Sequence, residues 1–263
     1  MRLHLFEFGD QRWLPSRLRD AMTLYLASVY GKTGLPSQWA EKIAEVLRGS
    51  GENRIVDLGS GAGGPAPLVA AELRKLGCPC QVTLTDFFPN CRAGPFGSGL
   101  TYFPEPVDAR SVPGLPGLRT MFAAFHHFNP VDARRILANA VGQGSAICIF
   151  EATSRTAPMI ITAVLIPIFV LFFTPVIRPV SIFQLFFTYL IPLLPLLIFW
   201  DGLVSHLRTY SPAEMLGMTR ELDPGYRWTA GTIQVPGFQA AVPWLIGSLR
   251  RASSQSGPGP HGR

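Results

Sequence analysis

The chain has 263 residues, a formal net charge of +6, only 15% charged residues and a mean hydropathy of +0.24. Soluble domains average about 25% charge, so some apolar surface here faces something other than water. Lys and Arg are dispersed, with no basic run longer than Arg250-Arg251, which speaks against a nucleic-acid-binding arm and leaves a mild bias towards an anionic membrane surface.

The length suits one core with an elaboration better than two domains. Glu7 and the lack of a long apolar run near the start argue against a secretory signal, and residues 1–50 read as a helical lead-in or lid. Within it, residues 16–48 form two helices broken at Gly31-Lys32-Thr33-Gly34, with Trp39, Ile43, Val46 and Leu47 striping the second. A strand opens at Arg54 and ends in Asp57-Leu58-Gly59-Ser60-Gly61-Ala62-Gly63-Gly64; a helix over 67–76 and a strand over 81–85 follow. Residues 87–118 are rich in Gly and Pro and resist assignment. Further strands are expected over 119–125 and 145–150, separated by a helix over 131–141 that Pro130 helps to begin. Ser211 and Glu214 form a capping box for a late helix, and strands over 226–235 and 241–249 are joined at Pro236-Gly237. The result is an α/β fold: a doubly wound, mainly parallel seven-stranded sheet with an antiparallel C-terminal hairpin. Its core takes residues 51–155 and 201–251, and the Gly/Pro-rich residues 252–263 read as a disordered tail. Cys78, Cys80, Cys91 and Cys148 lack zinc-ligand spacing and read as reduced thiols, so no metal site is expected.

The glycine turn lies where a doubly wound sheet binds its ligand, beyond the carboxyl ends of the strands. Gly59, Gly61 and Gly64 satisfy a dinucleotide fingerprint, but Asp57, two residues before the first glycine, suits a cationic ligand better than a pyrophosphate. The segment resembles motif I of the class I S-adenosylmethionine-dependent methyltransferases, an acidic residue followed by Gly59, Gly61 and Gly63. The resemblance implies S-adenosyl-L-methionine as cofactor, held by Asp57 and the three glycines. It further implies Asp86 at the ribose hydroxyls and Asp108 beside the adenine, with Ala109 giving backbone contacts.

His126 and His127 follow the expected strand over 119–125, which resembles the family's fourth strand, whose loop faces the methyl donor. Either is a candidate base for an acceptor that carries a proton, although adjacent histidines are expected to diverge, with at most one facing the site. Glu151, ending the next strand, is a candidate to orient a histidine or the substrate, with a surface cap as the plainer role. Phe6, Phe8 and Trp13 form an aromatic cluster suited to a lid or to core packing, and Asp201, His206, Arg208 and Tyr210 are further substrate candidates.

Between Thr156 and Trp200 the only charged residue is Arg178. Two apolar arms, 157–174 and 180–200, approach the ~20 residues that cross a bilayer, so residues 156–200 read as an apolar helical hairpin bearing membrane-associated or transmembrane helices. Six prolines make re-entrant insertion a competitor to full spanning. The expectation is a membrane-associated methyltransferase whose catalytic domain faces the cytoplasm, with membrane lipid and a small lipophilic acceptor as partners. A non-catalytic membrane-associated protein that binds the same cofactor is the alternative, and a nicotinamide-dependent oxidoreductase a weaker one for want of a Tyr-x-x-x-Lys pair.

Overall fold

In the computed structural model, which describes residues 2–90, 94, 96–178, 180–236 and 240–250, apolar residues alternate along each strand and feed two cores on opposite faces of one sheet. Strand β1 (Arg54–Leu58) sends Ile55 to one core and Val56 and Leu58 to the other. Strand β2 is Gln81–Thr85, β3 Leu100–Tyr102, β4 Leu118–Phe122, β5 Ile147–Phe150, β6 Tyr226–Gln234 and β7 Ala241–Leu249. The order is β3-β2-β1-β4-β5-β7-β6, with β7 antiparallel to both neighbours and the rest parallel. Every residue of β4 and β5 is buried, as parallel strands covered on both faces require.

Helices α2 (Leu35–Ser50) and α3 (Ala66–Lys75) cover one face, where Trp39 stacks on Phe122 and Phe150. Helices α4 (Pro130–Gly142) and α9 (Pro212–Thr219) cover the other. The Ser211–Glu214 capping box forms as read, and Asn129 caps α4.

Three expectations shift. Helix α1 (Ser16–Thr33) runs through Gly31, and only Gly34, at φ 67°, ends it. Strand β4 stops at Phe122 because Ala123, at φ 48°, turns the chain into a single 3-10 turn over Phe125–His127. The short edge strand β3 lies in the region whose Gly and Pro content hid it. The 252–263 tail, Cys91 and Gly237 lie outside the described residues.

The expected arms are broken rather than continuous. The first is α5 (Ala157–Ala163) and α6 (Ile166–Phe173), the second α7 (Ile182–Leu185) running into a π turn, then α8 (Leu193–Arg208). Pro167 and Pro192 lack the amides that would bond the preceding turn, and the two pairs bend by 48° and 82°. Among the described residues no single helix is long and apolar enough to cross a membrane; the two bent pairs reach that length and composition together. Leu14, Leu18, Met22 and Tyr25, from α1 and the segment before it, pack against Val170, Ile177, Leu194 and Ile198, so the insert has a core of its own.

Candidate active site

The turn after β1 is tied to the heads of β2 and β4 by hydroxyls and carboxylates. Asp57 accepts Ser60 Oγ at 2.6 Å and Thr120 Oγ1 at 2.7 Å, and its own carbonyl accepts Thr85 Oγ1 at 2.7 Å. It is 2% exposed, and through these hydroxyls its carboxyl clips the turn to β4. Burial raises it to about 7 against the lowering effect of those two hydroxyls. Asp86 accepts Gly61 N and Phe88 N, both at 2.8 Å, and burial raises its carboxyl despite these amides.

The glycines serve different ends. A Cβ on Gly63 would come within 2.6 Å of Phe96, and one on Gly59 within 3.3 Å of Ala124. Gly61, at φ 53°, has nothing among the described residues, its chain neighbours aside, within 4 Å of that position, and it lies beside Asp86. Asp108 accepts Arg110 N at 2.9 Å and pairs with the Arg110 guanidinium at 2.7 Å, closing a turn in which Ala109 is buried.

A second cluster lies beyond β4 and β5. His126 Nδ1 is 2.7 Å from Glu151 Oε2, and the His126 amide donates to Glu151 Oε1 at 2.8 Å. Glu151 is fully buried, so the surface-cap role is ruled out in favour of orienting this ring. His127 Nδ1 is 2.7 Å from Asp10, and Arg208 Nη1 lies 2.9 Å from Asp10 and 3.2 Å from Glu7. The expected divergence of the histidines does not occur. In a 3-10 turn their rings lie 4.4 Å apart, tilted by 31°, and both approach Glu7, at 3.7 and 3.6 Å.

The N-terminal segment that brings in Glu7 and Asp10 is fastened to the insert. Asp201 accepts Phe8 N and Gly9 N at 2.7 and 2.8 Å, and Phe6, Phe8 and Trp13 cluster with Trp200. Arg208 donates to His127 O, Tyr210 to Phe128 O, and His206 contacts Ser154, so these three substrate candidates also brace the histidine turn and its neighbours.

No protein-family model and no curated protein matches the sequence. The plantazolicin methyltransferase BpumL, solved in complex with SAH, superposes with a TM-score of 0.52 at 11% identity, over 89% of this chain and 88% of its own. The fold is that of a class I methyltransferase. The mitomycin 7-O-methyltransferase MmcR (TM-score 0.48, 14% identity) and an O-methyltransferase family protein from Burkholderia thailandensis (0.42, 14%) match 82% and 81% of this chain. This chain spans 54% and 57% of their lengths, little over half of each.

On this methyltransferase fold, Asp57, Asp86 and the glycines gather at the head of β1 and β2, while His126, His127 and Glu151 form the separate cluster at β4 and β5. Sequence reasoning missed Glu7 and Asp10, whose partners are distant in the chain; the one local signal was two acids three apart among aromatics.

Burial opposes charge on His127, but the carboxylates of Glu7 and Asp10 outweigh it and raise the ring from 6.5 to about 9. Asp10 is lowered from 3.8, because His127 and Arg208 overcome the effect of burial. A raised histidine stabilises the fold fully below 6.5 and loses that contribution as pH rises through about 9; a lowered carboxylate contributes above 3.8. The melting-temperature advantage of the wild type over His127→Gln is therefore expected to be largest between pH 3.8 and 6.5 and to fade towards about 9. A difference that stays constant across that range would mean His127 is not held as a cation.

Proposed function

We propose that the protein transfers a methyl group from S-adenosyl-L-methionine to a small lipophilic acceptor that reaches it from a membrane. The observation that carries this reading is the glycine turn closed on Asp86 at the head of β1 and β2, with nothing among the described residues, chain neighbours aside, within 4 Å of a Cβ on Gly61, in a class I methyltransferase fold. BpumL, which shares that fold, was solved with SAH bound. Asp86 would take the ribose hydroxyls, Gly59, Gly61 and Gly63 would let backbone approach the ligand, and Asp108 and Ala109 would border the adenine. Exposed Phe87 and Phe88 add apolar surface beside Asp86.

When bound, S-adenosyl-L-methionine supplies an activated methyl group on a sulfonium, which leaves the protein to align the acceptor and remove its proton. His126 suits the second task. Its Nδ1 hydrogen goes to the buried Glu151 carboxylate, which only accepts, so in the neutral ring Nε2 keeps a free lone pair. His127 serves poorly as a base near neutral pH, because its neighbours hold it protonated. The link to a membrane rests on the insert's exposed apolar side chains and on its attachment, through Asp201 and Trp200, to the segment that covers the histidines. The domain would then sit on the cytoplasmic side.

Calorimetry with S-adenosyl-L-methionine and with nicotinamide cofactors tests the reading first. Asp86→Ala is expected to weaken the former by about 1–3 kcal/mol in a folded protein, the scale of a lost hydrogen bond to a charged group. Unchanged affinity would remove Asp86 from the site, and nicotinamide binding instead would make the protein an oxidoreductase. Cofactor binding with no transfer to any membrane extract would leave a non-catalytic binding protein.

A further inference from the structure

We propose that Glu7, His126 and His127 form a binding site for a divalent transition-metal ion such as Zn2+. One ligand atom from each side chain lies within 4.8 Å of the others. His126 Nε2 and His127 Nδ1 stand 3.7 and 3.6 Å from the two oxygens of Glu7, close to the ~3.3 Å that separates ligands around a tetrahedral ion with bonds of about 2.0–2.1 Å.

The independent observation is His126 Nε2. The ring is 2% exposed, and among the described residues this nitrogen has no hydrogen-bond partner although it faces the buried Glu7 carboxylate at 3.7 Å. With Nδ1–H committed to Glu151, Nε2 in the neutral ring offers only a lone pair, so Glu7 and His126 present two electron-pair donors to each other across a gap too long for a hydrogen bond. Glu7 Oε1 already takes Arg208 Nη1 and Ser205 Oγ, both at 3.2 Å, so the unmet demand is that of the buried Nε2, and an unpartnered buried nitrogen is costly unless a ligand such as a metal ion takes its lone pair. A ring whose second nitrogen donates to a carboxylate is also the usual arrangement of a metal-ligating histidine, because the carboxylate fixes the tautomer and raises the basicity of the other nitrogen.

The local charge permits an ion. Glu7 and Asp10 carry two negative charges and Arg208 neutralises one of them, with Glu151 adding a further negative charge behind His126. Ligation through Nδ1 requires His127 to lose its proton to solvent, as metal binding to a histidine generally does. Two imidazoles and one carboxylate favour Zn2+ and its first-row neighbours over Mg2+ or Ca2+, which prefer all-oxygen sites. Three protein ligands leave a position open. Binding of the ion does not depend on the methyl-transfer reading; that the open position takes a Lewis-basic atom of the acceptor, with His126 then a ligand and not the base, does rest on it.

The full chain, freed of metal with chelator, is titrated with Co2+ and followed by its visible absorption, with Zn2+ competition and S-adenosyl-L-methionine calorimetry in parallel. The expected result is one Co2+ per chain with the intense bands of a four- or five-coordinate site, displaced by Zn2+. Glu151→Gln should weaken Co2+ binding about 10–100-fold, the usual effect of losing a carboxylate behind a ligating histidine. His126→Ala and Glu7→Gln should abolish it, while His4→Ala leaves it unchanged. If His126→Ala fails to fold, judged by circular dichroism, Glu7→Gln and Glu151→Gln decide. The absence of one-to-one binding, or equal binding by the folded Glu7→Gln and wild-type chains, overturns the metal site. Loss of the metal site with cofactor binding intact leaves His126 as the base; the converse sinks the methyl-transfer reading and keeps the metal.

Discussion

Because the insert is proposed to hold the protein at a membrane, a chain carrying Phe172→Glu, Ile182→Glu and Leu190→Glu is expected to lose vesicle binding while keeping its fold and the proposed affinity for S-adenosyl-L-methionine. The three side chains are 76%, 85% and 71% exposed and belong to both bent arms of the insert. Each stands to gain about 1.5–3 kcal/mol on burial in hydrocarbon. Replacing all three with charges removes that gain and adds a desolvation penalty, so vesicle binding should fall by at least about a thousandfold, the factor that roughly 4 kcal/mol produces. Excising residues 156–199 would be a poorer test, because α1 packs its Leu18, Met22 and Tyr25 on the same insert and would be laid bare. Bends of 48° and 82° are what either a broken span or a re-entrant loop would show. Cosedimentation of the triple variant and the wild type with anionic vesicles decides the matter: equal binding would leave the apolar surface without the role assigned to it.

Gly61→Arg should abolish cofactor binding without unfolding the protein. At φ 53° a non-glycine residue costs about 1–2 kcal/mol, which a core of this size tolerates. Among the described residues no atom beyond its chain neighbours lies within 4 Å of the added Cβ, so the long side chain extends towards the space beside Asp86 that the cofactor is proposed to fill. An affinity loss beyond about a thousandfold is expected, with an unchanged circular dichroism spectrum. Gly63→Ala makes the contrast, since its Cβ would meet Phe96 at 2.6 Å and the cost falls on folding. Calorimetry of both variants separates the two effects, and wild-type affinity in Gly61→Arg would place the ligand elsewhere.

The sequence by itself determined the sheet and the glycine turn, because both are encoded in short-range patterns. Alternation of apolar residues marked β2 and β7 to the residue, Ser211 and Glu214 spelled out their own capping box, and Asp57, Gly59 and Gly61 marked the turn that ends β1. What depended on contacts between distant segments came only with the tertiary structure. Asp57 proved to be a clip because Thr120, from β4, supplies the second hydroxyl. The histidines converge because a positive φ at Ala123 turns β4 into a 3-10 turn, and Glu7 and Asp10 meet them because Asp201 and Trp200 pin the N-terminal segment across the site. Composition likewise revealed the apolar character of the insert, but not that prolines break each arm and that α1 supplies part of its core. Local backbone preferences and periodicity act over a few residues, whereas a polar cluster is assembled by whichever segments the packed sheet brings together.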